Sequence, residues 1–170
     1  MPGIHEGEGD FREVRHRMPM LRLENGFRDD ALQELDRRVQ DSHPRNDLVE
    51  YAVEPQIDGL EVELVYEEGS LQLASTRGDG LIGIDVTQNI KTILTVPLNL
   101  RRPLDGPPIP DLLEARGTVY MERKAFEELN RTRRNAGLPP FARARDAVIE
   151  SVRQLDPKVT ARRPVEMFSC

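Results

Sequence analysis

The sequence predicts an α+β domain built on antiparallel sheet. Apolar and more polar residues alternate over 60–66, which is the period-two pattern of a half-buried strand. A Glu-Glu-Gly-Ser turn at 67–70 follows, and residues 71–76 predict the returning strand of a hairpin. Helical patterns come later, at 122–136 and 142–155, without the regular strand–helix alternation of a parallel sheet. The length of 170 residues fits one such domain.

Local signals place the other elements. Asp30 and Gln33 form a capping-box pattern before leucines at helical spacing, so we predict a helix over 30–41. Asp85 is expected to cap a short helix that carries Val86, Ile90 and Leu94 on one face. Further strands are predicted at 49–54 and 112–121, a tight turn at 78–80, and a proline-rich surface loop at 101–111.

Composition excludes several classes of protein. The chain has 24 basic and 30 acidic residues and a formal charge of −6, which argues against a surface that binds nucleic acid all over. Cys170 is the only cysteine and the three histidines are scattered, so no internal disulfide, no cysteine-based zinc site and no metal cofactor are expected. We predict a reducing, cytoplasmic location and no membrane-spanning segment. Residues 1–15 lack the pattern of a signal peptide and are predicted to form a flexible tail before a domain over 16–170.

Positive charge is concentrated late in the chain. Residues 131–163 include nine basic and three acidic side chains, although the whole chain is acidic. Such a stretch is typical of a solvated helix face, and it is also compatible with a surface that contacts phosphates. From charge alone, the solvated face is favoured.

Three short segments carry more information than their turns and charges alone suggest. They are Glu54-Pro-Gln-Ile-Asp-Gly59, Thr76-Arg-Gly-Asp-Gly80 and Arg153-Gln-Leu-Asp-Pro157. In this order they resemble the adenylation (nucleotidyltransferase) domain of bacterial NAD-dependent DNA ligases. The resemblance covers nearly everything after residue 15, and it includes Arg17-Met-Pro-Met-Leu-Arg-Leu-Glu-Asn-Gly-Phe27, Ile84-Asp-Val-Thr-Gln-Asn-Ile90, Leu113-Glu-Ala-Arg-Gly-Thr-Val-Tyr120 and Arg163-Pro-Val-Glu-Met-Phe168.

The resemblance implies a nucleophile that this chain lacks. In the family, the lysine of a Lys-x-Asp-Gly motif attacks the α-phosphate of NAD and forms a lysyl–AMP intermediate. The matching position is Gln56, followed by Asp58 and Gly59. A carboxamide nitrogen shares its lone pair with the carbonyl group and is not a useful nucleophile. Glutamine can nevertheless donate a hydrogen bond to a phosphate, so we expect ligand contacts without the reaction.

Other positions also depart from the family pattern. Thr118 stands where the family usually has a glutamate, and Glu150 stands where it has a glycine. The family's Ser-Leu near the nicotinamide-side entrance is Arg22-Leu23 in this chain. Because several positions differ at once, a degenerate site is favoured over a single engineered change.

The resemblance implies further site residues. It assigns nucleotide contacts to Leu23, Glu54, Gln56, Asp58, Gly59 and Arg77, and a surface near the nucleotide and the nicked DNA to Arg143, Arg145 and Arg153. Two interpretations of Glu54, Asp58 and Arg77 are open. These residues either still bind nucleotide or serve only hairpin geometry and ion pairing, and the second is favoured because the strongest cation of the site is missing.

The favoured hypothesis is therefore a partial, non-catalytic adenylation domain that binds NAD, AMP or a protein partner. The family's remaining sheet and its oligonucleotide-binding, zinc-finger and helix-hairpin-helix modules lie outside this sequence. We expect an uncovered sheet edge, and hence self-association or a protein partner. The alternatives are an accessory DNA-binding module that uses the basic stretch and a residual nucleotidyltransferase with another nucleophile in DNA repair or replication.

Overall fold

A computed structural model of the chain describes residues 11–21, 26, 28–42, 49–102, 104 and 106–169. The chain divides into two compact units, one formed by 1–20 with 56–170 and the other by 21–55. The larger unit contains the strands β1 (Glu13–Arg15), β2 (Leu60–Glu67), β3 (Ser70–Thr76), β4 (Ile82–Ile84), β5 (Leu112–Tyr120) and β6 (Glu166–Ser169). Its helices are α2 (Thr87–Ile90), α3 (Arg123–Asn135), α4 (Ala144–Val152) and α5 (Pro157–Thr160), and the smaller unit contains α1 (Asp29–Ser42).

The main sheet has four strands in the order β3-β2-β5-β6, and every pairing is antiparallel. A separate two-stranded ladder joins β1 to β4. Helices and antiparallel sheet in one chain confirm the predicted α+β class. The predicted strands over 60–66, 71–76 and 112–121 and the helices over 30–41 and 122–136 are all present, to within two residues at each end.

The hydrophobic core lies on one face of the four-stranded sheet. Alternate residues of β2 belong to it, from Leu60 to Tyr66, because successive side chains of a strand point to opposite faces. They pack in one cluster with Ile90 of α2 and with Val148 and Val152 of α4. The opposite face carries the intervening residues, among which Glu63 is 2% exposed.

The β2–β3 hairpin turns where the sequence predicts it. Glu68 has φ 51° and Gly69 has φ 77°, so both central residues lie in the left-handed region that tight hairpin turns need. The second predicted turn, at 78–80, is also present. There Gly78 has φ 58°, and a Cβ at this position would lie 1.8 Å from the carbonyl oxygen of Ile82.

Several boundaries differ from the prediction. The predicted helix over 142–155 spans 144–152, because the backbone leaves helical geometry at Arg153, where φ is −87° and ψ is 56°. Asp156, which precedes a proline, is extended with ψ 109°. The Asp156 side chain then accepts the N–H of Lys158 and begins α5. Leu94, predicted to share a helix face with Val86, is fully exposed because α2 ends at Ile90.

Two predictions about extended segments need correction. No strand forms at 49–54, where every residue except Val49 is exposed and none has a ladder partner. Conversely, residues 13–15 of the predicted tail form β1, and Phe11 packs against the core. The tail predicted for 1–15 therefore does not extend through these residues, and 1–10 lie outside the described part of the chain.

Within the described residues, the smaller unit contains α1 and the irregular segment 49–55. No residue of α1 is buried. The Tyr51 hydroxyl donates to Asp36 Oδ1 at 2.8 Å, and this hydrogen bond raises the pKa of Tyr51.

Candidate functional site

The segment that leads into β2 borders a hollow of about 260 Å³. Gln56, Ile57, Asp58, Gly59, Glu61 and Arg145 line it, and we call it the Gln56 hollow. Three of the sequence-predicted nucleotide residues and one of the predicted DNA-contacting residues are thus brought together. The hollow is polar, and Gln56 itself is exposed at its surface.

Gly59 fixes the wall of the Gln56 hollow. A Cβ at this position would lie 2.1 Å from the carbonyl oxygen of Val119 and 2.7 Å from Cγ2 of Thr118. Only glycine allows the backbone to approach β5 so closely. The approach sets the direction in which the chain from Gln56 to Asp58 enters β2.

An ion pair crosses the hollow. Arg145 Nη1 lies 3.7 Å from Asp58 Oδ1, and the two side chains are 48% and 73% exposed. Because both groups are well solvated, the pair adds little to stability and can be exchanged for another anion at small cost.

Arg143 and Asp146 lie beside the hollow at the start of α4. The Arg143 guanidinium donates to both carboxylate oxygens of Asp146, at 3.1 and 2.9 Å. This contact raises the pKa of Arg143 and lowers the pKa of Asp146. The negative charge of Asp58 also contributes to the rise for Arg143. Arg153 is exposed at the other end of the helix. At a rise of 1.5 Å per residue it lies roughly 12 Å from Arg145 along the helix axis. It does not line the hollow.

Thr118 neighbours the hollow without adding charge. It pairs in register with Glu61 across β5 and β2, which places the two side chains on the same face of the sheet. The face therefore presents the Glu61 carboxylate at the lining of the hollow and Thr118 beside Gly59.

Arg77 is engaged within the fold. Its side chain is 15% exposed, and its Nε donates to the carbonyl oxygen of Met20 at 3.0 Å and lies 3.3 Å from Glu61 Oε2. It does not line the Gln56 hollow.

Glu54 and Leu23 complete the set of predicted nucleotide contacts. Glu54 is exposed and belongs to the smaller unit, and Leu23 lies outside the described residues. Glu150, where the resemblance implies a glycine, forms ion pairs with Arg133 at 3.6 Å and Arg163 at 3.1 Å.

A buried charged cluster next to this site was missed at the sequence level. His16 Nδ1 lies 2.7 Å from Glu63 Oε2, and Arg116 Nη2 donates to Glu63 Oε1 at 3.2 Å. His16 Nε2 donates to the carbonyl oxygen of Arg77 at 3.1 Å. One signal was available, because Glu63 is an acidic residue within a strand of otherwise mostly apolar neighbours. Its partners come from distant parts of the chain and could not be inferred.

The cluster anchors residues 16–20, which we call the strap. Arg116 Nη2 and Nη1 donate to the carbonyl oxygens of Met18 and Pro19 at 2.6 and 3.1 Å. The N–H groups of His16 and Met20 donate to the carbonyl oxygens of Leu81 and Gly80. The backbone of the strap is therefore bonded at both ends to the turn before β4 and at its middle to Arg116 of β5.

The chemistry open to the hollow is hydrogen bonding and ion pairing. The chain's three lysines, Lys91, Lys124 and Lys158, all lie away from its lining. Within the described ranges, no group of three or more His, Cys, Asp or Glu side chains could hold a metal ion. The same residues contain no helix long and apolar enough to cross a membrane.

Comparison with known proteins identifies the class to which this fold and site belong. A family model described as "NAD-dependent DNA ligase adenylation domain" matches residues 8–170. The chain therefore belongs to this family, as the motifs around Gln56 and Arg77 predict.

Relatives named DNA ligase agree with this assignment. Those from Geotalea daltonii and Geobacter metallireducens are 51% and 49% identical over 160 residues, which is 93% of this chain and 23% of each relative. The relative from Marinobacter nauticus is 49% identical over 160 residues, covering 94% of this chain and 23% of its own length. The chain thus spans less than a quarter of the length of the relatives it matches.

Proposed function

We propose that this chain is a non-catalytic adenylation domain that binds an adenine nucleotide, NAD or AMP, without forming a covalent adenylate. The observation that carries the proposal is the carboxamide of Gln56 at the position where the family has its lysine nucleophile. An amide nitrogen has no free lone pair for attack on the α-phosphate. No lysine lines the hollow to replace it.

The Gln56 hollow contains hydrogen-bond donors that can bind a phosphate. Gln56 offers an amide N–H donor, and the Arg145 guanidinium offers several N–H donors in a planar array. Asp58 holds Arg145 over the hollow only through a solvated contact at 3.7 Å. A nucleotide phosphate could therefore take the place of the Asp58 carboxylate on Arg145.

Thermal unfolding in the presence of NAD, AMP and ATP tests nucleotide binding. A ligand that binds only the folded state raises the unfolding temperature as its concentration exceeds the dissociation constant. We expect NAD or AMP to raise it, and Gln56→Glu to weaken the effect by adding a negative charge beside the phosphate. Gln72→Glu is the matched control, because Gln72 is exposed on β3 and lines a different hollow. Absence of stabilisation by all three nucleotides would contradict the proposal.

DNA binding is a second candidate function. It is supported by the name of the relatives and by the exposure of Arg143, Arg145 and Arg153, although two of these arginines already face carboxylates. A mobility shift on nicked duplex DNA at two salt concentrations tests it, because phosphate contacts weaken steeply with salt. Absence of a shift at low salt would rule it out.

Association with a second copy or with a protein partner is a further part of the proposal. β6 is an outer strand of the sheet, and Leu94 and Leu104 are fully exposed large apolar side chains. Outer strands and exposed apolar groups favour association. Size-exclusion chromatography with light scattering would contradict self-association if the chain elutes as a folded monomer at all concentrations.

A further inference from the structure

One face of α3 holds the loop that leads into α4. The Asn130 side chain is buried in this interface and bonds the backbone of Phe141 on both sides. Its Oδ1 accepts the N–H of Phe141 at 2.8 Å, and its Nδ2 donates to the carbonyl oxygen of Phe141 at 3.0 Å. Because these two groups belong to the peptide units on either side of its Cα, the pair of bonds fixes both the position and the orientation of the Phe141 backbone.

Arg133, one turn further along α3, holds the same loop from a second direction. Its Nε donates to the carbonyl oxygen of Pro139 at 2.9 Å, and its guanidinium carbon lies 4.1 Å from the centre of the Phe141 ring. Its Nη1 also lies 3.6 Å from Glu150 Oε2 on α4. With 17% of its side chain exposed, Arg133 is a mostly buried cation held by three kinds of contact.

The contacts from Asn130 and Arg133 hold the backbone immediately before α4. Phe141 lies three residues before Ala144, and Arg143 at the N-cap is extended and gives no side-chain cap to the helix. The start of α4 therefore depends on contacts made from α3. Arg145, in the first turn of α4, is the residue that reaches the Gln56 hollow.

We infer that Asn130 and Arg133 are positioning residues that hold Arg145 over the Gln56 hollow, where its guanidinium meets the phosphate of an adenine nucleotide. The identity of the ligand rests on the proposed function. The positioning of Arg145 opposite Asp58 does not, because it can be measured without any ligand.

Asn130→Ala removes the two-point bond, and Asn89→Ala is its matched control. Asn89 is equally buried, and its Nδ2 donates to the carbonyl oxygen of Gln154 at 2.7 Å and to Thr160 Oγ1 at 2.8 Å. It thus contacts the segment beyond the other end of α4. A loss of general stability affects both variants, whereas a loss of Arg145 positioning affects only Asn130→Ala.

The first measurement is the dissociation constant for AMP, determined by titration at a temperature where all variants are folded. We expect Asn130→Ala to weaken binding by at least about tenfold, as for the loss of one charge-assisted hydrogen bond, and Asn89→Ala to leave it unchanged. Equal affinities of the two variants would overturn the inference for the nucleotide-bound state.

The second measurement needs no nucleotide. Asp58→Asn should shift the NMR resonance of the Arg145 Nε–H group in the wild-type and Asn89→Ala backgrounds, but not in the Asn130→Ala background. A shift of equal size in all three backgrounds would overturn the positioning role. If AMP binds to no variant and the resonance shift is lost only in Asn130→Ala, the proposed ligand fails while the positioning role stands. Arg133→Met carries the same test, with the same expected result, if Asn130→Ala does not fold.

Discussion

His16 and Glu63 form a fully buried contact that fastens the strap to the polar face of the sheet. Their closest atoms, Nδ1 and Oε2, are 2.7 Å apart, and the two side chains are 0% and 2% exposed. Because His16 Nε2 faces a carbonyl oxygen, which can only accept, that nitrogen carries a proton. Arg116 adds a second partner to the carboxylate and bonds the strap backbone. The strap, β2 and β5 are thereby joined through one carboxylate.

Removal of His16 should therefore destabilise the fold strongly. His16→Ala leaves the Glu63 carboxylate buried with one partner fewer, and such a loss costs about 3 kcal/mol in the free energy of unfolding. Urea unfolding measures the difference. Arg12→Ala is the control, because it removes an exposed ion pair with Asp85 and should cost at most about 0.5 kcal/mol. Equal costs of the two substitutions would show that the buried cluster does not hold the strap.

Gly59→Ala should disrupt the wall of the Gln56 hollow. The added methyl group would lie 2.1 Å from the Val119 carbonyl oxygen, so β2 and β5 have to move apart. We expect this to lower the free energy of unfolding by about 3 kcal/mol. Gly137→Ala is the matched control. Gly137 has φ 73° with no atom near its Cβ position, so only backbone strain of about 1 kcal/mol is expected. Thermal unfolding of both variants compares the two costs, and a Gly59→Ala protein as stable as Gly137→Ala would contradict the close approach.

Asp79 should make stability fall in acid. The N–H groups of Ile82 and Leu81 donate to its carboxylate and lower its pKa in the folded state. The stability this provides is present above the unfolded pKa of about 3.9 and is lost as the pH falls through the lower folded value. Urea midpoints measured from neutral pH to strong acid should therefore decline more steeply for the wild type than for Asp79→Asn. Identical declines would mean that the turn does not depend on this carboxylate.

Local sequence patterns predicted most of the fold, and long-range contacts account for what they missed. β2, β3 and β5 have clear periodicity, and the turns at 67–70 and 78–80 have the residues such turns require. β1, β4 and β6 are three or four residues long and exist because of their partners, so no local pattern marks them. The opposite error occurred at 49–54, where the apolar residues of an extended segment suggested a strand that has no partner.

The candidate site, like the fold, was predicted only in part from the sequence. The family resemblance assigned Gln56 and Asp58 to the nucleotide and Arg145 to a surface near it, and the three residues line one hollow. The participation of Glu61 follows from strand register, and the cluster around Glu63 depends on partners that lie 47 and 53 residues away along the chain. Such separations leave no trace in local sequence.

The most direct test of the central claim is incubation of the purified chain with adenine-labelled NAD and magnesium, followed by denaturing electrophoresis and intact-mass measurement. We predict no labelled band and an unchanged mass, because the amide of Gln56 cannot accept an adenylyl group. A labelled band at the mass of this chain, or a gain of one adenylyl group, would contradict the claim that this domain is non-catalytic.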